Sequence, residues 1–278
     1  MICLETVRDR LALEPGQPPW DLHAVEETDS TNLRLWEALG SGSAWDRPWC
    51  VLSADSQSAG RGRQERAWSC APGEGLLVSL CLELDLTRHA LALLGHWAAI
   101  ALARVLEERL DEAGLSARIL WKWPNDLWIE DEHGPGKVAG LLAQAQIQGT
   151  RARVVLGIGL NCGQREFPAG LRQPARSLHQ AGLRLERETL LADLLLELGR
   201  RGLPGLGPGL LAELAPRDLF QSRPAWLRLE EGPRRLRSTP LLDGGLRVEW
   251  EGGAATLHGG GLCVESVTRE GLWCRLEA

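Results

Sequence analysis

Three apolar runs stand close together between residues 118 and 160, and they limit the fold more than any other feature of the sequence. Arg118–Trp123, Val138–Gln146 and Arg153–Leu160 each have the length and residue types of a strand, and Leu127–Ile129 adds a shorter one. The turn His133–Gly136 contains two glycines and a proline, which favours a hairpin. We therefore expect a sheet built largely from strands that are neighbours in the chain.

Further strands and several helices surround this region. Asp29, Ser30 and Thr31 are good N-cap residues, and Leu91, Leu94, Ala98 and Leu102 recur at helical spacing. The predicted strands are Trp49–Ser53 and Gly75–Leu82, the predicted loop is Asp55–Arg66, and the predicted helices are Asp29–Leu39, Thr87–Glu112, Leu190–Leu198 and Gly209–Leu214. The expected fold class is α+β, a mixed sheet with helices packed on one face.

The residue pattern of the sequence changes near residue 219. Short strands separated by Gly, Pro and Asp follow, which suits a small β-barrel. They are Trp226–Leu229, Leu236–Arg237, Leu246–Trp250, Ala255–Leu257 and Leu262–Val267. A length of 278 residues fits one medium domain plus a small one. We predict an N-terminal extension over 1–20, a main domain over 21–218 and a β domain over 219–278.

Charge and cysteine content exclude several function classes. The net charge of −6 and the sequence pI of about 5.6 argue against a bulk nucleic-acid binder. The seven cysteines are odd in number and form no CxxC, so reduced thiols in the cytoplasm are the simpler interpretation. The N-terminus lacks a signal-peptide core, and the longest apolar run, Leu91–Ala103, is too short to span a membrane.

A loop rich in glycine and arginine, Ser56–Arg66, is the first segment that suggests chemistry. Glycine lets backbone N–H groups approach an anion closely, and arginine binds phosphate or carboxylate oxygens in pairs. A solvated flexible loop explains the same composition equally well. Glu65 stands where a dinucleotide fingerprint needs its third glycine, and no GKS or GKT follows, so neither that fingerprint nor a P-loop is present.

Four other segments each allow a structural and a functional interpretation. In Trp121–Asp126 the two tryptophans share one strand face and Lys122 points the other way. The Pro-Asn-Asp residues that follow form either an ordinary turn or a group that binds a ligand. Lys137 is either a solvated strand start or a point charge in a pocket. The glycines of Val154–Asn161 make a thin core strand or leave room for a ligand. Asp29–Asn32 is a helix cap that could also bind a small polar ring.

Taken together and in order, these five segments closely resemble the biotin–protein ligase family. The resemblance spans about 130 residues, and the β-rich C-terminal piece resembles the small SH3-like cap of that family. The matching stretches are DSTN at 29–32, the AGRGR loop with its downstream tryptophan at 59–68, KWPND at 122–126, KVAGL at 137–141 and GIGLN at 157–161.

The resemblance implies an enzyme that makes biotinyl-5′-AMP and pyrophosphate from biotin and ATP. A lysine of a biotin carboxyl carrier protein, such as the domain of acetyl-CoA carboxylase, would then take the biotinyl group. Two unit anions about 4 Å apart repel by roughly 4 kcal/mol at an effective dielectric constant near 20. Cationic side chains from separate segments must therefore converge where the carboxylate meets the triphosphate.

The resemblance also assigns site residues. The catalytic set is Arg63, Lys137 and Asp126. The biotin set is Ser30, Thr31, Asn32, Gln57, Arg61, Gly62, Arg63, Lys137 and Gly140, and the nucleotide set is Arg66, Trp68, Lys122, Asn125 and Asn161. Mg²⁺ is expected on the phosphates. Asp126 either binds that ion or orients the incoming lysine, and the sequence leaves both roles open.

Two departures from the family pattern and two alternatives complete the expectations. Only about 28 residues precede the DSTN segment, too few for the DNA-binding domain of some members, so we expect neither transcriptional repression nor another nucleic-acid partner. Gln64 and Glu65 weaken the positive field of the loop.

We expect residues 58–66 to be mobile in the free protein and to become ordered when biotinyl-AMP binds. A lipoate or octanoate transferase and a non-catalytic biotin sensor are the alternatives, and a homodimer stays open.

Overall fold

The structure is a computed structural model that describes residues 1–85, 91, 93–203, 209–241, 243, 245–258, 262–268 and 270–276. Its helices are α1 (Leu4–Ala12), α2 (Thr31–Ala38), α3 (Leu94–Glu112), α4 (Arg187–Arg201), α5 (Gly209–Leu214) and α6 (Leu219–Ser222). Its strands are β1 (Asp21–Thr28), β2 (Cys50–Gln57), β3 (Gly75–Asp85), β4 (Arg118–Lys122), β5 (Asp126–Asp131), β6 (Gly134–Gln148), β7 (Arg151–Asn161), β8 (Ala225–Leu229), β9 (Gly232–Pro240), β10 (Leu246–Trp250), β11 (Gly253–Leu257), β12 (Leu262–Thr268) and β13 (Gly271–Leu276).

The first sheet contains seven strands in the order β1-β2-β3-β7-β6-β5-β4. β1 and β2 run parallel, and every other neighbouring pair is antiparallel. The hairpin expected at His133–Gly136 joins β5 to β6, and the three crowded runs are β4, β6 and β7. A mixed sheet is therefore confirmed.

The two faces of this sheet carry different helices. Leu76, Val78 and Leu80 of β3 point into the main core, which α1, α3 and α4 cover. Alternate residues point to the opposite face, where Cys81 and Leu52 pack against Leu35 of α2. The predicted packing of helices on one face of a mixed sheet is thus confirmed for α1, α3 and α4. The short α2 lies on the other face, beside the site described below.

A buried carboxylate ties three helices together on the core face. Asp193 of α4 pairs with Arg10 of α1 at 2.5 Å and with Arg109 of α3 at 2.6 Å. Because α1 is anchored in this way, the segment expected as a bare N-terminal extension contains a packed helix that the sequence analysis did not identify.

Several predicted boundaries were wrong. β2 runs on to Gln57, so the first residues of the expected loop Asp55–Arg66 belong to a strand, because Glu27 and Thr28 of β1 pair with Ser56 and Gln57. β1 and β13 were missed. The predicted helix start at Thr87 lies outside the described residues. None of the helices in the described part of the chain has the length and apolar character that crossing a bilayer requires.

The second sheet lies in the C-terminal part and has the order β11-β10-β9-β8-β13-β12. The small C-terminal β domain is confirmed as an element of the fold, whereas the exact domain limits stay a prediction. Asp218 and α6 lie where the two sheets meet. Asp218 forms an isolated bridge with Trp121 of β4, and its Oδ2 accepts a hydrogen bond from the Ser238 hydroxyl of β9 at 2.9 Å.

We expect Asp218 to make stability fall with rising pH. Burial raises the pKa of Asp218 to about 6, although hydrogen bonds from Phe220 and Ser238 oppose the shift. A folded-state pKa above the unfolded value near 4 means that the folded state keeps a proton longer. Stability present below pH 4 is therefore lost as the pH rises through 6, by about 3 kcal/mol at most.

The measurement is urea unfolding of the wild type and of Asp218→Asn between pH 4 and 8. The difference between the two proteins cancels other titrating groups, and it should move in favour of the asparagine variant as the pH rises. A difference that does not change with pH would contradict this account.

Candidate active site

A cavity of about 450 Å³ opens on the α2 face of the first sheet. It is bounded by the start of α2, the glycine- and arginine-rich loop, the middle of β3, β6 and β7, and the segment 167–175, with Leu262 of β12 at its rim. All the predicted site residues line this one cavity: Ser30, Thr31, Asn32, Gln57, Arg61, Gly62, Arg63, Arg66, Trp68, Lys122, Asn125, Asp126, Lys137, Gly140 and Asn161.

A polar group of side chains forms one end of the cavity, at the start of α2. The Ser30 hydroxyl accepts from the Leu33 N–H at 3.4 Å, so Ser30 is a helix cap as well as a lining residue. The Thr31 N–H donates to Gln57 Oε1 at 2.7 Å, and the Thr31 and Ser79 hydroxyls lie 2.8 Å apart. Thr31 is buried, so these bonds fix its orientation towards the cavity.

Glycines form the floor beside this polar end. Gly140 of β6 pairs with Gly159 of β7, and the Trp68 indole lies over both. A Cβ built on Gly159 would stand 2.5 Å from the indole, and one on Gly140 would stand 3.0 Å from it. Only glycine at these two positions therefore leaves room for the flat Trp68 indole against the sheet.

A cluster of charges forms the other end of the cavity. Asp126 of β5 is buried, and its Oδ1 lies 2.7 Å from Lys137 Nζ while its Oδ2 lies 4.0 Å from Lys122 Nζ. Burial lowers the pKa of Lys122, and the charge of Asp126 partly offsets that. Burial also lowers the pKa of Arg63, which the Asp126 carboxylate again opposes. Three cations thus surround one anion, which leaves a positive end suited to further anions.

A β-bulge brings Lys137 into this cluster. Asp126 pairs with Gly140 and Leu127 with Ala139, but Trp128 pairs with Lys137, so the register shifts by one residue. In a regular strand Lys137 would share the core face of Ala139 and Leu141, both of which are buried there. The extra residue turns Lys137 to the cavity face instead.

The composition of the chain makes both lysines conspicuous. Lys122 and Lys137 are the only lysines among 31 lysine and arginine residues, and both face Asp126. An ammonium is a compact point charge, whereas a guanidinium is a wide planar fork. In a chain that otherwise uses arginine, these two positions are the ones that carry the smaller cation.

The two asparagines hold the backbone around the cavity. Asn125 Nδ2 donates to the Leu141 carbonyl at 2.7 Å. Asn161 Nδ2 donates to the Arg176 carbonyl at 3.1 Å, and its Oδ1 accepts from Gln164 at the same distance. These bonds occupy much of the hydrogen-bonding capacity of Asn161. A direct contact with nucleotide remains a prediction for both residues.

The glycine- and arginine-rich loop folds over the floor as a short hairpin. Gly62 N–H donates to the Arg66 carbonyl at 2.7 Å, and Trp68 N–H donates to the Gly60 carbonyl at 2.8 Å. Gln64, at the tip, has a left-handed φ of 54° and accepts a hydrogen bond from Arg66. Gln64 therefore orients one of the loop arginines. The mobility of residues 58–66 and their ordering by ligand stay predictions.

Sequence reasoning missed several lining residues. Ser79 was detectable, because it is a lone hydroxyl in the apolar strand Gly75–Leu82. Arg172 and Leu262 gave no local signal, since they reach the cavity from an irregular segment and from the second sheet. Their placement depends on tertiary contacts alone.

Comparison with known proteins agrees with this geometry. The model of the biotin/lipoate A/B protein ligase family matches residues 24–161. The chain is 32% identical over 222 residues to the biotin–[acetyl-CoA-carboxylase] ligase of Mycobacterium tuberculosis, which covers 77% of this chain and 76% of that protein. It is 37% identical over 155 residues to the bifunctional ligase/repressor BirA of Bacillus subtilis, covering 54% of this chain and 45% of that one.

A solved structure supports the fold. The biotin protein ligase from Aquifex aeolicus in complex with biotin and ATP superposes with a TM-score of 0.61 and 22% identity, over 92% of this chain and 99% of that one. The chain spans about half the length of several curated relatives that it matches. By fold it groups with the solved biotin protein ligases. The chain belongs to the biotin/lipoate A/B protein ligase family.

Proposed function

We propose that this protein is a biotin–protein ligase, which activates biotin with ATP to biotinyl-5′-AMP and transfers the biotinyl group to a lysine of a biotin carrier protein. One observation carries the proposal. A polar end, a glycine floor and a positive end follow one another in space along a single cavity. This order matches a ligand with a polar ring, an apolar chain and a carboxylate.

Each end of the cavity suits one part of biotin. Ser30, Thr31 and Gln57 offer hydroxyl and amide groups to the ureido ring, with Asn32 beside them. The Trp68 indole, seated on the glycine floor, and Leu142 border the space for the apolar tail. The ring end and the positive end are separated by this floor, so the tail carboxylate would lie near Lys137 and Arg63.

The positive end suits the activation step. We infer that Lys137 and Arg63 hold the biotin carboxylate and the α-phosphate together, that Arg66 of the loop binds the remaining phosphates, and that Arg61 belongs to the biotin side. Each cation offsets part of the roughly 4 kcal/mol by which two anions at about 4 Å repel. The hairpin loop would exclude water from the acyl phosphate, which water would otherwise hydrolyse.

Mg²⁺ fits best as a companion of the nucleotide. Of the described residues that line the cavity, Asp126 is the one acid, and both its oxygens face ammonium groups. A cation between Asp126 and the lysines would be repelled by them, so we assign magnesium to the ATP phosphates, where it would neutralise charge. We infer that Asp126 instead fixes Lys137 and receives the incoming carrier lysine at this end.

The location and partner follow from the same proposal. The partner would be a biotin carboxyl carrier protein, and the seven cysteines are free thiols, as a protein of the reducing cytoplasm would have. The oligomeric state is an open part of the proposal. β1 and β4 are the outer strands of the first sheet, and because Trp121 of β4 already bridges Asp218, β1 is the edge that we assign to pairing with a second copy.

The test is incubation with MgATP and labelled biotin, lipoate or octanoate, with and without a biotin carrier domain. We expect pyrophosphate release with biotin and a gain of one biotinyl group on the carrier lysine by mass spectrometry. A carrier with that lysine replaced by arginine is the control. Modification by lipoate or octanoate alone would make the chain a lipoate-type transferase, and tight biotin binding without pyrophosphate release would make it a sensor.

We also expect Gly159→Ala to weaken substrate binding. The new Cβ would stand 2.5 Å from the Trp68 indole, so the floor would rise or the indole would move. Overpacking costs about 1–3 kcal/mol, which, if it falls on substrate binding, corresponds to a roughly fivefold to 150-fold higher KM for biotin or ATP. Gly95→Ala is the control, because a Cβ on Gly95 meets nothing within 4 Å. An unchanged KM in Gly159→Ala would contradict the floor assignment.

A further inference from the structure

We propose that Asp21, His23 and Cys50 form a second site, a binding site for a divalent transition-metal ion of the zinc type. Asp21 and His23 alternate along β1, and Cys50 begins β2 directly opposite Asp21. Their intervening neighbours Leu22 and Val51 point into the main core. The three side chains therefore share the α2 face of the sheet, at its edge.

The donor atoms lie close enough for one ion. His23 Nε2 and Asp21 Oδ1 are 3.1 Å apart. One imidazole nitrogen, one carboxylate oxygen and Cys50 Sγ all lie within 4.8 Å of one another. Tetrahedral zinc with bonds of about 2.0–2.3 Å needs donors roughly 3.3–3.8 Å apart. Rotation of one exposed carboxylate or imidazole would close the remaining gap.

The chemistry of the donors selects the ion. One thiolate, one imidazole and one carboxylate suit borderline metals such as Zn²⁺ and Co²⁺, whereas Mg²⁺ prefers oxygen ligands alone. Three protein ligands leave a fourth position for water. Asp21 and His23 are half-exposed, while Cys50 is buried, so an ion could enter from solvent and reach the sulfur at the base.

The buried thiol gives the site a proton-linked character. Burial, and then the neighbouring Asp21 carboxylate, raise the pKa of Cys50 to about 12, while Arg47 opposes the shift. When the metal–sulfur bond forms, the Cys50 S–H bond breaks and its proton passes to solvent. A divalent ion with one thiolate and one carboxylate is then electrically neutral, which removes the cost of two adjacent anions.

The surroundings fit a structural site that is separate from the cavity. The Trp45 ring lies at 6.4 Å from the His23 ring, and Leu35, Leu52 and Cys81 form an apolar wall beside Cys50. Cys50 and Gln57 stand at opposite ends of β2, about 23 Å apart at 3.3 Å per residue. An ion here would join β1 to β2 without touching the cavity, and it would raise the thermal midpoint.

The experiment uses the full chain without nucleotide. Equilibrium dialysis with Zn²⁺ should give one bound ion per chain, and Co²⁺ should give the absorption of a thiolate-to-cobalt charge transfer. Cys50→Ser and His23→Ala should each weaken binding by roughly 100-fold or more. Cys81→Ser, in the same apolar wall, is the matched control and should bind like the wild type.

The outcomes separate clearly. Loss in both ligand variants with retention in Cys81→Ser supports the site, provided that all variants keep the wild-type thermal midpoint in a chelator. Absence of a bound ion in the wild type would overturn the proposal, as would a cobalt–thiolate band that survives in Cys50→Ser. A band that disappears in a Cys3→Ser variant would assign the metal to that exposed thiol and overturn the proposal too.

Discussion

Replacing Lys137 by methionine is expected to lower the rate of biotin-dependent pyrophosphate release by roughly 10²–10³-fold, the usual effect of removing one preorganised donor to a developing charge. Of the two lysines, Lys137 lies nearer to Asp126, at 2.7 Å, and its side chain is the more exposed. Methionine has a similar length and no charge. The two anionic substrates would therefore meet with one cation fewer between them.

The fold should survive this change. Lys137 is 23% exposed, and after its removal Asp126 still faces Lys122 and Arg63. We expect the thermal midpoint to stay within a few degrees of the wild type. Arg151→Met is the matched control, since Arg151 is 76% exposed and pairs with Glu83 far from the cavity. That variant should keep the wild-type rate.

Lys137→Arg tests the charge and the shape separately. Gly140 approaches the ammonium so closely that a Cβ there would lie 3.1 Å from Nζ, which leaves little room for a guanidinium. We therefore expect the arginine variant to recover only a minor part of the rate. Wild-type pyrophosphate release from Lys137→Met would remove Lys137 from the activation step, and full activity of Lys137→Arg would remove the argument from size.

Much of the site could be predicted from the sequence, because most of the motifs end a strand or begin a helix, where side chains can reach a cavity. Ser30 and Thr31 were placed at a helix start, and the tryptophans of Trp121–Asp126 do share the core face opposite Lys122. These inferences needed only the periods of strand and helix. Cations from separate segments do line one cavity, whereas their roles at the carboxylate and the phosphates stay predictions.

What could not be predicted depends on register and on distant parts of the chain. Alternation alone would place Lys137 in the core, and only the bulge opposite Trp128 turns it towards Asp126. β1 has the mixed polar pattern of an edge strand, so its sequence does not indicate a strand. Its pairing with β2 extends β2 to Gln57, which the sequence of β2 alone did not show. Arg172 reaches the cavity through an irregular segment without a sequence signal.

The scarcity of lysine bears on a hazard of the proposed reaction. Biotinyl-5′-AMP reacts with any unprotonated amine, and an exposed lysine with a pKa near 10.4 offers about one free amine in 10³ at neutral pH. Arginine stays protonated and does not attack. This chain has two lysines, whose side chains are 5% and 23% exposed and both face Asp126. The described surface therefore offers the adenylate almost no lysine amine, and the exposed Cys3 thiol and the N-terminal amine are its remaining nucleophiles.

We accordingly expect the lysines of the wild type to resist self-biotinylation, and expect new surface lysines to be labelled. A triple variant, Arg118→Lys, Arg151→Lys and Arg228→Lys, keeps each charge beside its glutamate, and those arginines are 60%, 76% and 57% exposed. After long incubation with biotin and MgATP without carrier, peptide mass mapping should show at least roughly tenfold more biotin on the lysines of the variant than on those of the wild type, with the N-terminal peptide counted separately. The triple variant in a Lys137→Met background should stay unmodified, because it makes no adenylate. Equal labelling of wild type and variant would show that surface amines do not limit the side reaction, and labelling of wild-type Lys122 or Lys137 would show that Asp126 does not protect them.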